Sequence, residues 1–125
     1  VGGTYLKPIH YPGRPVAKAD LASLGAELLN AIKEGDWNRP FGRETIADDL
    51  SEPLSVSEET GLPLYCGEFG AFNRAPTSLR IAWYRDMLSV FEEYGIAWAN
   101  WDYKGAFGIV DENGEKTAIA DVLLG

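Results

Sequence analysis

The sequence predicts an α/β fold in which two short parallel strands are flanked by helices. Two apolar runs, at residues 62–69 and 96–101, have the length of buried strands, and an amphipathic helical pattern at 77–94 separates them. A connection of that length returns the second strand in the direction of the first, so we expect parallel pairing. The chain of 125 residues has the size of one domain, and we treat residues 1–125 as a single segment.

Three segments precede the first strand. Residues 1–17 are rich in glycine and proline and predict an irregular connection. Next, an apolar stripe at helical spacing predicts one helix that begins at Asp20 and ends near Glu34, with Gly35 as its stop; the stripe is Leu21, Leu24, Leu28 and Ile32. A second helical pattern covers 43–60 before Gly61, and Pro53 within it should kink or split the helix.

After the first strand, at 62–69, the predicted helix at 77–94 ends at Gly95. The second strand occupies 96–101, and the following loop contains a turn signal at Asn113-Gly114. A last helix is predicted at 117–124. Two strands do not form a complete parallel sheet, because such a sheet needs neighbours at its edges and cover on both faces. We therefore expect part of a larger α/β body, or a homo-oligomer that completes the sheet with copies of itself.

Charge narrows the classes of partner. The chain has 11 Lys and Arg against 19 Asp and Glu, a formal net charge of −8, which disfavours nucleic acid and anionic membranes. No apolar run approaches the roughly 20 residues of a membrane span. Cys66 is the single cysteine, so the sequence offers no intramolecular disulfide and no thiolate metal cluster. We expect neither a metal nor a cofactor.

One carboxylate stands out in the first strand, where residues 65–70 read YCGEFG. Strand alternation predicts one face with Leu64, Cys66 and Glu68, and the opposite face with Tyr65, Gly67 and Phe69. Glu68 then lies at the carboxyl end of a parallel strand, where α/β proteins build their sites, and the glycines on either side of it leave room for a ligand. A structural salt bridge at Glu68 is the alternative.

The second strand ends in a tryptophan that could complement this carboxylate. Trp98 and Trp101 lie three residues apart and should point to opposite faces, so we expect one in the core and Trp101 over a cleft. An indole face is a suitable platform for the apolar side of a sugar ring. Asp102, Lys104 and Asn73 are weaker candidates for sugar hydroxyls, with solvated loop residues as the alternative.

These motifs resemble a known enzyme family. The segments GEFG at 67–70 and WANWDYKGAFGI at 98–109 are similar to the seventh and eighth strands of glycoside hydrolase family five, the bacterial endoglucanase type. The resemblance implies the carboxyl-terminal portion of a (β/α)8 (TIM) barrel and a β-linked saccharide as substrate. It also implies Glu68 as the nucleophile of a retaining mechanism, Trp101 as the sugar platform, and secretion.

The sequence departs from the family pattern at the second catalytic carboxyl group. The family's acid/base glutamate follows an asparagine in an Asn-Glu-Pro-like run, and the nearest strings here are Ser51-Glu52-Pro53 and Asp111-Glu112-Asn113, neither at a strand end. We therefore expect a chain that supplies the nucleophile strand but not the acid, and that needs a complementing barrel segment. The alternative is a non-catalytic carbohydrate-binding or scaffold fragment, in which Glu68 is dispensable. A nucleotide-binding domain is disfavoured because the glycines do not form a phosphate loop.

Overall fold

The computed structural model describes residues 9–35 and 38–125. Within these ranges the elements run in the predicted order and confirm the α/β class: α1 (Lys18–Leu21), α2 (Ala26–Gly35), α3 (Arg43–Asp49), α4 (Ser51–Thr60), β1 (Tyr65–Phe69), α5 (Thr77–Tyr94), β2 (Ala97–Asn100) and α6 (Ala118–Leu124). In the described part of the chain, no helix combines the length and the apolar character needed to cross a membrane.

The two strands pair in parallel, as predicted, with a bulge in β1. Tyr65 lies opposite Ala97 and Cys66 opposite Trp98, but the next pair is Phe69 with Asn100. Two residues of β1 therefore stand opposite one residue of β2. An inserted residue of this kind shifts every later side chain to the other face of the strand.

The predicted alternation is therefore wrong at the carboxyl end of β1. Leu64 and Cys66 pack against the core, but Phe69 joins them there with 7% of its surface exposed. Glu68 is exposed instead, like Tyr65. The bulge is the physical reason, because it places the aromatic ring where strict alternation would place the carboxylate.

The core lies between the strands and the last two helices. Its buried members are Phe69, Tyr84, Phe91, Ile96, Ile119 and Leu123. The Phe69 ring lies edge-on to its neighbours, with centroid distances of 5.1 Å to Phe91, 5.4 Å to Trp98 and 5.7 Å to Tyr84. Trp98 is thus the core tryptophan of the predicted pair.

The first predicted helix is two helices. α1 ends at Leu21 and α2 begins at Ala26. The Ser23 hydroxyl donates to the carbonyl oxygen of Asp20 at 2.7 Å, a local bond that competes with helical pairing, and glycine at position 25 is a poor helix former. Residues 9–17 are non-helical, as predicted, whereas residues 1–8 and the side chain of Leu28 lie outside the described part.

The second helical pattern is also divided, as Pro53 predicted, but the break falls at Leu50. Pro53 is the third residue of α4, within the first turn, where its missing N–H group has no helical acceptor to lose. Gly61 and Gly95 end α4 and α5 in the left-handed conformation, with φ of 70° and 64°. Both glycines have the predicted helix-ending role.

Polar contacts attach the amino-terminal part of the chain to α5. Arg43 of α3 donates from Nε to the Ser89 hydroxyl at 2.9 Å and forms an ion pair with Glu93. The Tyr11 hydroxyl donates to Asp86 at 2.6 Å. Burial, followed by this bond to the Asp86 carboxylate, raises the pKa of Tyr11 well above its ordinary value.

Candidate active site

Glu68 and Trp101 line the same depression, which has a volume of about 380 Å³. Both side chains are exposed, the indole to 54%. The main-chain N–H of Trp101 donates to the carbonyl oxygen of Phe69 at 2.8 Å and so extends the parallel pairing by one residue beyond β2. The carboxylate and the indole therefore emerge from the carboxyl ends of neighbouring strands, with the rings of Trp83 and Phe107 completing the walls.

Gly70 is required by the protein's own backbone. A Cβ atom at this position would lie 2.0 Å from the carbonyl oxygen of Trp101 and 3.3 Å from the Cβ of Phe107. The prediction that Gly70 leaves room for a ligand is therefore wrong, because the Trp101 loop already fills that space. At Gly67 a Cβ would meet only the Tyr65 ring, at 3.6 Å, so the open side of Glu68 is the side of Gly67.

A buried hydroxyl connects the segment after Glu68 to the segment around Trp101. Tyr84 of α5 is fully buried, and its hydroxyl accepts the N–H of Ala71 at 3.0 Å. The same hydroxyl donates to Oδ1 of Asn100 at 2.9 Å, and Nδ2 of Asn100 donates to the carbonyl oxygen of Asp102 at 3.1 Å. These three bonds fix the loop after each strand against one helix.

The loop after Trp101 is folded tightly on itself. The Trp101–Asp102 peptide bond is cis, and Gly105 has φ of 142°, a conformation that favours glycine. The N–H groups of Ile109 and Val110 both donate to the carbonyl oxygen of Tyr103, at 3.1 and 3.2 Å. The Asp102 carboxylate is turned towards Gly105, where an added Cβ would lie 2.5 Å from Oδ2.

Asn73 anchors this loop to the segment after β1. Its main-chain N–H donates to the carbonyl oxygen of Ala106 at 2.7 Å, and its Nδ2 donates to that of Gly105 at 3.2 Å. Asn73 also lines a second hollow of about 520 Å³ together with Lys104 and Arg80. The structure thus separates the predicted site residues: Glu68 and Trp101 share one hollow, whereas Asn73 and Lys104 share another.

Sequence reasoning missed Tyr84 and Arg80. Both lie on the stripe of α5 that continues through Met87 and Phe91 at helical spacing, and Tyr84 and Phe91 are buried core residues. An arginine in register with a buried aromatic stripe is unusual, since charged side chains are seldom fully buried without a partner. That register was the available signal for Arg80, whereas Tyr84 looks like any other core aromatic residue until its hydrogen bonds are known.

Comparison with known proteins identifies bacterial relatives. No family model matches the chain. Endoglucanase C of Acetivibrio thermocellus is 39% identical over 67 residues, which cover 54% of this chain and 20% of that protein. Endoglucanase 3 of Fibrobacter succinogenes is 25% identical over 111 residues, covering 88% of this chain and 16% of that protein.

The chain also resembles solved structures of endoglucanases. Cel5A of Thermotoga maritima, a mutant form in complex with cellobiose, superposes with a TM-score of 0.59 at 28% identity over 80% of this chain and 33% of that one. The chain is similar in sequence and in fold to these bacterial endoglucanases. A hyperthermophilic endo-β-1,4-glucanase in complex with substrate shares the fold, with a TM-score of 0.61 at 23% identity over 66% of this chain and 28% of that one.

These endoglucanases are longer than the present chain. It spans about a fifth of the length of the first curated relative and about a third of the Cel5A chain. Its two parallel strands and flanking helices correspond to part of a (β/α) barrel, so the fold class predicted from the sequence is confirmed. Within the described residues, β1 and β2 pair in parallel, as expected of neighbouring barrel strands.

The carboxyl groups at the Glu68 hollow can be compared with those of a retaining glycosidase. Such enzymes use two carboxyl groups about 5–5.5 Å apart, one as nucleophile and one as acid/base. Among the described residues that line this hollow, Glu68 is the one that carries a carboxyl group. The contacts of Lys104, Asp102 and Asn73 with a saccharide stay predictions, and for Asn73 and Asp102 the structure gives a role within the loop.

Proposed function

We propose that this chain carries the nucleophile side of a retaining β-glycanase site, with Glu68 as the nucleophile. The observation that carries the proposal is the shared hollow: an exposed carboxylate at the end of β1 opens beside an exposed indole at the end of β2. The relationship to family-five endoglucanases supports the same reading.

In this mechanism a β-linked saccharide lies over the Trp101 ring. The axial C–H bonds of a pyranose contact the indole face, which fixes the sugar beside Glu68. The carboxylate attacks the anomeric carbon and forms a glycosyl-enzyme ester, while the bond to the leaving oxygen breaks and that oxygen takes a proton from the acid/base carboxyl group. Water then attacks the anomeric carbon, loses a proton to the same acid/base group, and restores the Glu68 carboxylate with overall retention of configuration. The cellobiose and mannotriose complexes of Thermotoga maritima Cel5A indicate the class of substrate.

The acid/base carboxyl group must come from outside this hollow's described lining. A positioned acid contributes about 10²–10⁴-fold to such reactions, so we expect the chain by itself to cleave natural glycosides very slowly. In the described sheet β1 pairs only with β2, and further barrel strands would attach at the free edges. A complementing barrel segment or a second copy of the chain would supply them. We also propose secretion, as for an enzyme that acts on a polysaccharide.

The test is to trap the glycosyl-enzyme ester on the full chain. A 2-deoxy-2-fluoro-β-cellobioside with a dinitrophenyl leaving group needs little acid assistance and forms a long-lived ester. The intact mass should rise by one fluorocellobiosyl group, and peptide mapping should place it on Glu68. Glu68→Gln should abolish the labelling. Glu58→Gln, an exposed position on α4, is the matched control and should label like the parent chain.

Two results would contradict the proposal. One is labelling that persists in Glu68→Gln, which would place the nucleophile elsewhere. The other is no labelling of a chain that nevertheless binds cellobiose, with the same affinity in Glu68→Gln. The second result would favour the non-catalytic carbohydrate-binding function, for which the exposed face of Trp101 is sufficient.

A further inference from the structure

A tyrosine hydroxyl joins the two segments that carry the candidate site, at the point where the parallel strands end. Tyr84 is fully buried, and its hydroxyl accepts the main-chain N–H of Ala71 at 3.0 Å and donates to Oδ1 of Asn100 at 2.9 Å. Ala71 lies three residues after Glu68, and Asn100 directly precedes Trp101. The hydroxyl therefore connects the backbone that carries the carboxylate to the backbone that carries the indole.

The direction of each bond in this connection is determined by its two ends. The N–H of Ala71 can only donate, so the hydroxyl uses its own proton on Asn100. The amide oxygen of Asn100 is then occupied, and its Nδ2 donates to the carbonyl oxygen of Asp102 at 3.1 Å. This carbonyl oxygen can only accept. The hydrogen bonds thus form a relay with one possible pattern, from a main-chain donor on one segment to a main-chain acceptor on the other.

The relay acts where the strand pairing stops. The pairing of β1 with β2 ends with the bond from the main-chain N–H of Trp101 to the carbonyl oxygen of Phe69, at 2.8 Å. In the described part of the chain, the next main-chain bond between the two segments joins Asn73 to Ala106. Rotation of either segment between these two points would change the spacing between the carboxylate and the indole. The Tyr84 hydroxyl opposes that rotation.

The ring of Tyr84 and its hydroxyl have separable roles. The ring lies 5.7 Å from the Phe69 ring and 5.1 Å from the Trp83 ring, between centroids, and a phenylalanine would keep both contacts. Trp83 is itself part of the wall of the Glu68 hollow. Removal of the hydroxyl would leave one buried donor and one acceptor without their partner, and such groups move to reach other partners or water. Tyr84→Phe therefore loosens the two segments while the ring packing is retained.

We propose that Tyr84 is a positioning residue, which sets the spacing between the Glu68 carboxylate and a sugar ring held on Trp101 and acts through Asn100. Its effect on turnover rests on the function proposed above. Attack on the anomeric carbon needs reacting atoms about 3–3.5 Å apart, and misplacement by about 1 Å can slow such a step about 100-fold. Binding to the exposed indole is less demanding, because it depends mainly on the apolar area covered. Loss of the hydroxyl should slow ester formation and leave sugar affinity nearly unchanged.

The test measures the rate of ester formation separately from the affinity for the reagent, with the full chain and the dinitrophenyl fluorocellobioside. Tyr84→Phe should lower the rate of labelling at saturating reagent by about tenfold or more, with a half-saturating concentration within about twofold of the parent value. All rates are measured under conditions in which urea denaturation shows the variant to be folded. Ile119→Val is the matched control, because it trims a fully buried core residue of α6 without removing a hydrogen bond. It should label like the parent chain.

A double variant tests whether Tyr84 acts through Asn100. Asn100→Leu removes the amide and should also slow labelling. Tyr84→Phe combined with Asn100→Leu should label about as slowly as the slower single variant, because both changes break the same connection.

An NMR comparison reads the same spacing without any turnover. The indole N–H resonance of Trp101 and the main-chain N–H resonance of Glu68 should move in Tyr84→Phe and in Asn100→Leu, and should keep their parent positions in Ile119→Val. A parent chain that does not label at Glu68 would contradict the proposed function. The two resonances would still decide whether Tyr84 positions the carboxylate and the indole, so the two failures are distinguishable.

Three results would overturn the positioning role. The first is labelling of Tyr84→Phe at the parent rate, or slowed no more than in Ile119→Val. The second is unchanged Trp101 and Glu68 resonances in folded Tyr84→Phe. The third is a double variant in which the two losses of rate multiply, since Tyr84 and Asn100 would then act independently. If Tyr84→Phe does not fold, Asn100→Leu takes its place in the first two measurements.

Discussion

Replacing Gly70 by alanine should destabilise the chain, although the change adds a single methyl group. The new Cβ would lie 2.0 Å from the carbonyl oxygen of Trp101, and ordinary contacts begin at 3.4 Å, so the two backbones must separate by about 1.4 Å. The atom that must move belongs to backbone, which cannot rotate away as the end of a side chain can. The main-chain N–H of Trp101 also donates to the carbonyl oxygen of Phe69, at 2.8 Å.

The loss of stability can be estimated from these two contacts. Forcing extra volume into a packed site costs about 1–3 kcal/mol. Stretching the bond from Trp101 to Phe69 adds about 1 kcal/mol. We expect the free energy of unfolding to fall by about 2–4 kcal/mol, which is a large share of the stability of a small domain. The melting temperature should fall by about 10–20 °C.

Urea denaturation, monitored by tryptophan fluorescence, measures this fall in the free energy of unfolding. Gly67→Ala is the matched control, because it adds the same methyl group in the same strand and meets only the Tyr65 ring at 3.6 Å. We expect it to change the free energy of unfolding by less than about 0.5 kcal/mol. Equal effects of the two substitutions, or an effect below about 0.5 kcal/mol for Gly70→Ala, would refute the close approach of the two backbones.

Four further outcomes are expected. Trp98→Ala should cost about 3 kcal/mol of stability, measured by urea denaturation, because its partly buried ring packs against the core. Trp101→Ala should lower the free energy of unfolding by less than about 1 kcal/mol, yet abolish cellobiose binding in calorimetry. Equal losses of stability in Trp98→Ala and Trp101→Ala would contradict the assignment of Trp98 to the core side and Trp101 to the hollow. Tyr84→Phe should cost about 1–3 kcal/mol in the same assay by leaving buried polar groups unsatisfied, and a neutral result would dismiss the three-bond connection. Because burial raises the pKa of Tyr11, the folded state holds this proton more tightly than the unfolded state, so stability should be lost as the pH rises above about 10. The free energy of unfolding should fall less steeply with pH in Tyr11→Phe than in Tyr65→Phe. Parallel plots of this free energy against pH for the two variants would contradict the prediction.

The sequence determined which segments form helices and strands in the second half of the chain. The helix at Thr77–Tyr94 was predicted to its last residue, because its apolar spacing and Gly95 are local signals. Parallel pairing followed from the length of that connection. The resemblance to bacterial endoglucanases was also predicted from the sequence, and the relatives confirm it.

Boundaries in the first half were less predictable. The apolar stripe between Asp20 and Glu34 has one helical period throughout, and it does not show that the Ser23 hydroxyl bonds to Asp20 and that Gly25 separates two helices. Pro53 correctly indicated a division, but the break lies at Leu50 because proline is tolerated in the first turn of a helix. Such choices depend on small local energies that a periodic pattern does not contain.

Only the tertiary structure decided how the candidate site is arranged. Alternation assigned Glu68 to the same face as Cys66, and the bulge opposite β2 exchanged it with Phe69. The close approach of Gly70 to the Trp101 carbonyl and the burial of the Arg80 side chain likewise cannot be seen in the sequence. Periodicity is a property of one segment, whereas a bulge, a backbone contact and a buried charge are relations between segments distant in the chain.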